Sequence, residues 1–105
     1  MVDNTDPVIV VGSGLMGIGI AHAFASSGFN TTLVDTNADA LENARSSIHG
    51  ILDGGVKLGK VSGEDAEAAK NRLVTIERLA EAPADASLLV ETVSENLAIK
   101  QSVVG

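Results

Sequence analysis

Cysteine, tryptophan and tyrosine are missing from this chain of 105 residues, phenylalanine and proline occur twice each, and Lys plus Arg number 7 against 14 Asp plus Glu. Without cysteine there is no disulfide, no thiolate nucleophile and no thiolate metal site, a pattern compatible with a reducing compartment. Aromatics make up 2 % of a sequence that is 45 % hydrophobic, so its core must be built from Val, Ile, Leu and Ala, as suits strands flanked by helices. The formal charge of −7 argues against a nucleic-acid backbone or an anionic membrane as partner, and any phosphate must be bound locally. No apolar run approaches membrane-spanning length, and residues 1–6 are polar and acidic, unlike a signal or transit peptide. The expectation is a cytoplasmic protein of one domain, large enough to bury about two-thirds of its unfolded surface.

What is present is concentrated near the start. Residues 7–21 read PVIVVGSGLMGIGIA, an aliphatic run broken by Gly-x-Gly-x-x-Gly and resumed in a helix-like pattern. A parallel strand buried on both faces is apolar throughout, which fits residues 8–11, and the following helix starts with bare amides aimed at the turn. Those amides and the positive end of the helix dipole attract a diphosphate. Gly12 then allows the tight turn, Gly14 admits the phosphates, and Gly17 lets helix and strand pack closely; Ser13, Leu15 and Met16 complete the candidate phosphate site. The motif alone is weak evidence, but a second β-branched strand at 31–34 ends in Asp35, about 20 residues past the turn, where a carboxylate accepts from the adenosine ribose hydroxyls. No Arg or Lys stands near Asp35 to neutralise a 2′-phosphate, so the cofactor expected is NAD, not NADP.

Along the chain, the pattern predicts a strand at 8–11 and a helix over 15–27, with Ile18, Ala21, Phe24 and Ala25 as its buried stripe and His22 off it. Gly28 closes that helix before the strand at 31–34. Asn37 or Thr36 caps a second helix over 38–52, which carries His49 as a solvated residue. The three glycines of 53–61 predict a turn or a mobile hairpin tip. Ser62, with Asp65 in a capping-box-like pair, opens a helix to 72, followed by strands at 73–76 and 87–93 around a loop broken by Pro83. Ser94 or Thr92 leads into a last helix from about 96. Right-handed crossovers turn this into an α/β fold, a truncated Rossmann-type doubly wound parallel sheet in the order 3-2-1-4 with a helical hairpin inserted after strand two. Strand four is expected to remain an open edge that invites another chain, as in a homo-oligomer.

The segments GSGLMGIGIA at 12–21, LVD at 33–35 and VETVSENLAIK at 90–100 closely resemble the amino-terminal domain of the L-3-hydroxyacyl-CoA dehydrogenases, along nearly the whole chain. Related β-hydroxyacid dehydrogenases share the Met-Gly of the turn but usually lack the Gly-Ile-Ala after it and the Glu-Asn-x-x-x-Lys segment. The resemblance implies NAD-dependent interconversion of an L-3-hydroxyacyl-CoA and a 3-ketoacyl-CoA. It places Glu95 and Lys100 beside the nicotinamide ribose and the backbone around Thr92 along the cofactor cleft. Read from the residues alone, Glu95 is a first-turn acid favouring a helix dipole and Lys100 a surface cation. The family commonly has Ala where this chain has Ser13, a change small enough to leave the turn working. Its acyl-CoA-contacting arm is similar to the hairpin after strand two, where Lys57 and Lys60 either meet a CoA phosphate or mark a solvated tip.

Oxidising an alcohol by hydride transfer needs a base for the hydroxyl proton, which in this family is a His held by a Glu, with Ser and Asn residues assisting. No such constellation stands in the 105 residues, so no catalytic residue and no metal ligand is nominated. Residues 1–105 are expected to be the NAD-binding domain, with the catalytic and dimerisation domain outside them and the acyl-CoA engaged only together with it. The alternative is a stand-alone, non-enzymatic NAD-binding module or partner subunit.

Overall fold

In the computed structural model, which describes residues 7–93 and 96–101, β1 (Val8–Val11) runs into α1 (Leu15–Ser26) and β2 (Thr31–Val34). Helices α2 (Ala38–Lys57) and α3 (Gly63–Arg72) form a hairpin before β3 (Leu73–Ile76), and a short 3-10 turn (Leu79–Glu81) precedes β4 (Leu88–Val93) and β5 (Asn96–Gln101). Strands β3, β2, β1 and β4 are parallel neighbours in that order, as expected, and β5 adds to β4 antiparallel.

Alternation along β1 divides the core. Val8 and Val10 join Leu33 and Leu73 against Ile18 and Ala21 of α1, Leu41, Ala44, Ile48 and Leu52 of α2, and Ala66 and Ala69 of α3. Ile9 and Val34 face the other way, against Ala86, with Val11, Ile76, Ala82 and Leu89 packed around them. The crossovers β1 to β2 to β3 advance in one direction, so right-handedness puts their helices on one face. The return from β3 to β4 reverses direction and lays residues 77–87 across the other.

Both early helices end on glycine. Gly28 has φ +104°, its amide donates to the Ala25 carbonyl at 3.3 Å, and the Phe29 amide donates to Phe24 at 3.0 Å. The two rings meet edge to face at 5.4 Å, the hydrophobic contact that accompanies this stop. Helix α2, expected to end at 52, runs through Gly54 and Gly55 to Lys57. Packing offsets the glycine penalty there: Leu52 is buried, a Cβ on Gly55 would rest on Val61, and Asp53 pairs with Lys70 of α3 at 2.6 Å. The stop is Gly59, at φ +73°, where the Gly59 amide donates to Val56 and the Lys60 amide to Gly55. Asn37 caps α2 by accepting from the Ala40 amide, and Ser62 caps α3 by accepting from Asp65.

The helix expected from about 96 is instead β5. Leu97, Ala98 and Lys100 favour a helix locally, but β4 offers a row of unpaired backbone groups, and β5 pairs along it from Val93↔Asn96 to Leu88↔Gln101. β4 is therefore not the open edge foreseen from the sequence; β5 takes that place.

Candidate functional site

Register builds the site. Val11 is level with Val34 on one side and with Glu91 on the other, so Gly12, Asp35 and Thr92 leave their strands side by side at the carboxyl end of the sheet. It is here, between β1 and β4, that strand order reverses, the place where open α/β sheets bind ligands.

The three glycines of the turn differ in what surrounds them. Gly12 adopts φ +103°, and a Cβ there would collide with the carbonyl and hydroxyl oxygens of Thr92. A Cβ on Gly17 would collide with the Gly12 carbonyl. A Cβ on Gly14 would meet nothing within 4 Å. Gly12 and Gly17 are thus fixed by the protein's own packing, whereas Gly14 faces open space. Gly14 is also the N-cap of α1, its carbonyl accepting from the Ile18 amide at 2.9 Å. By helix geometry the amides of Leu15, Met16 and Gly17 then have no acceptor within α1. Leu15 is 91 % exposed and Met16 39 %, so neither side chain belongs to the core.

The Asp35 carboxylate closes the other side. Its Oδ2 accepts from the Ser13 amide at 3.0 Å and the Ser13 hydroxyl at 2.7 Å, and its Oδ1 accepts from the Asn37 amide at 2.9 Å. The Ser13 hydroxyl above all, then the Asn37 amide, holds the carboxyl below the usual aspartate range, while partial burial works weakly against them. Thr92 completes the cluster: its hydroxyl donates to the Val11 carbonyl at 2.9 Å and the Gly12 carbonyl at 3.3 Å.

Of the residues singled out from the sequence, Gly12, Ser13, Gly14, Leu15, Met16, Gly17, Asp35 and Thr92 come together. Lys100 lies in β5, level with Leu89 and Ile9, two residues short of the row that carries Val11. Glu95 falls outside the described residues. His22 on α1 and His49 on α2 are half-buried and belong to neither end of this turn. Sequence reasoning missed two links, the Ser13 hydroxyl to Asp35 and the Thr92 hydroxyl to β1. Serine in a glycine turn was the available signal for the first; the second needs the β1–β4 register.

A strand, a glycine turn opening a helix, and a second strand ending in an ionised carboxylate beside that turn define a Rossmann dinucleotide-binding domain. The family described as "3-hydroxyacyl-CoA dehydrogenase, NAD binding domain" matches residues 7–105, and the chain belongs to it. NAD is accordingly its dinucleotide, and the residues fit that group: open space before Gly14, helix-start amides and a carboxylate at the second strand's end. Among relatives, the chain is 39 % identical over 103 residues to 3-hydroxyadipyl-CoA dehydrogenase of Escherichia coli K12, covering 98 % of this chain and 22 % of that protein. It is 37 % identical over 94 residues to 3-hydroxybutyryl-CoA dehydrogenase of Bradyrhizobium diazoefficiens, covering 90 % and 32 %. The crystal structure of 3-hydroxybutyryl-CoA dehydrogenase from Escherichia coli K12 superposes with a TM-score of 0.82 at 38 % identity, over 90 % of this chain and 20 % of that one. The chain thus spans between a fifth and a third of the length of these relatives. Among the described residues, no helix is long and apolar enough to cross a membrane.

Proposed function

We propose that this chain is the NAD(H)-seating portion of an oxidoreductase that interconverts L-3-hydroxyacyl-CoA and 3-ketoacyl-CoA. The observation that carries the reading is the Asp35 carboxylate, held by Ser13 beside the mouth of the glycine turn. NAD, when bound, would supply the hydride acceptor. The amides of Leu15, Met16 and Gly17 would hold the diphosphate beside Gly14, and Asp35 would accept from the adenosine ribose. Thr92 forms the floor of the cleft by fixing the end of β1. Glu95 and Lys100, by likeness to the family, belong beside the nicotinamide ribose. Proton transfer needs a positioned base, and neither His22 nor His49 is oriented by an acid near the turn. The base is assigned to no residue here, and Lys57 and Lys60 are the candidates for a CoA phosphate. Alone, the chain binds NADH and turns nothing over.

Calorimetric titration tests this reading. NADH should bind weakly but measurably, with NADPH at least several-fold weaker, a like-charge clash in a partly buried site being worth on the order of 1 to 3 kcal/mol. Equal affinities for the two, or no NADH binding, overturn it. Acetoacetyl-CoA reduction by the chain alone should be undetectable, and turnover lost on His22→Ala or His49→Ala would reverse that part.

A further inference from the structure

An ionised carboxylate has about four lone-pair positions, and here three are taken from within the protein. Both Ser13 donors converge on Oδ2, and the Asn37 amide holds Oδ1, so the carboxylate is gripped at both oxygens and its plane is set. Asn37 is in turn fixed as the N-cap of α2, and Ser13 lies in the turn that opens α1. Ser13 is 4 % exposed, so water does not compete for its hydroxyl. If Asp35 swung out, that hydroxyl would lose its acceptor in a buried setting.

We propose that Ser13 is a positioning residue that sharpens dinucleotide specificity: its hydroxyl adds a third hold on Asp35 against the glycine turn, so the carboxylate rotates aside less readily to admit a 2′-phosphorylated ribose. The proposal rests on the NAD-seating reading above. An acid at the end of β2 repels a 2′-phosphate only while it stays in place; a free aspartate rotates about two bonds and yields. The Ser13 hydroxyl reduces that freedom, leaving the remaining lone pair of Oδ1 to meet a ribose hydroxyl. With alanine at 13 the backbone amides of residues 13 and 37 would still hold one oxygen each, but the shortest of the three bonds would be gone and Asp35 would turn outward more readily.

The experiment is a titration of the full 105-residue chain and its Ser13→Ala variant with NADH and with NADPH, with circular dichroism to show both folded. Alanine is smaller than serine and introduces no clash, so the variant is expected to fold. The ratio of the NADPH to the NADH dissociation constant should shrink by roughly five- to tenfold in the variant, the scale of one net hydrogen bond. Parallel weakening of both, with the ratio unchanged, would assign Ser13 a merely structural role and overturn the proposal. Tighter NADH binding would make Ser13 a competitor of the ribose and overturn it as well. Carboxyl-carbon NMR of Asp35 in the free chain is the independent readout: its titration midpoint should rise in the variant, and an unmoved midpoint sinks the lock. If the unaltered chain binds neither dinucleotide, the NAD-seating reading fails first; if it binds NADH and only the ratio refuses to move, the Ser13 inference alone fails.

Discussion

The carbonyl oxygen of Gly12 occupies the place where a Cβ on Gly17 would sit, so the first and last glycines of the turn are locked together by contact. A Cβ on Gly14, between them, would meet nothing. One motif therefore holds two kinds of glycine, and substitution separates them. Gly17→Ala forces backbone against backbone and should destabilise the fold by about 1 to 3 kcal/mol or more, read as a lower urea midpoint. Gly14→Ala changes only an N-cap and should cost less than about 1 kcal/mol, yet abolish NADH binding by filling the space the diphosphate needs. An unfolded Gly14→Ala chain, or one that binds NADH normally, contradicts the assignment.

Asp35 links the same turn to acid stability. In the folded chain its carboxyl lies below the ordinary aspartate value of 3.8, so between the two values the unfolded chain binds more protons than the folded one. The stabilisation is complete above the unfolded value and is lost as pH falls through the depressed folded one. Asp35→Asn removes this component. Its urea midpoint should fall less than that of the unaltered chain between about pH 5 and about pH 2.5. Asp53, also held down by Lys70, is present in both proteins and cancels in the comparison. In the same variant NADH binding should weaken by about tenfold, and preference over NADPH should shrink.

Thr92 fixes the floor of the turn through its hydroxyl, which spans the last carbonyl of β1 and the carbonyl of Gly12. Thr92→Val keeps the shape and removes the donor. The expected loss is roughly 1 kcal/mol in denaturant unfolding, with Thr92→Ser restoring most of it. Equal behaviour of the Val and Ser variants would show that the methyl group, not the hydroxyl, matters.

Much of this architecture is written locally. Strands β1, β2 and β3 are short β-branched or aliphatic runs bounded by proline, glycine or polar and charged residues, and their limits are legible to the residue. The spacing of Gly12, Gly14, Gly17 and Asp35 is equally local, because one βαβ unit contains it. What escapes a reading of the sequence depends on partners distant along the chain. β5 exists because β4 offers an edge, against the helical preference of Leu97, Ala98 and Lys100. The hydroxyls of Ser13 and Thr92 find their acceptors only once the strands are in register. Gly54 and Gly55 read as breakers because their penalty is local, whereas the contacts that offset it come from α3 and the segment before it.

That last difference yields a test of which glycine ends α2. A Cβ on Gly54 would meet nothing, and the residue sits inside a hydrogen-bonded helix, so Gly54→Ala should raise stability by about 0.5 to 1 kcal/mol through higher helix propensity and a less entropic unfolded chain. Gly59 also faces open space, but its φ of +73° is one that L side chains rarely adopt. Gly59→Ala should therefore lower stability by about 1 to 2 kcal/mol, although no atom stands in its way. Opposite signs in the two urea midpoints place the helix stop at Gly59, where the Gly59 and Lys60 amides close the last turn. Were Gly54→Ala the damaging change, the stop would belong at the earlier glycine and α2 would be shorter in solution than its packing on α3 requires.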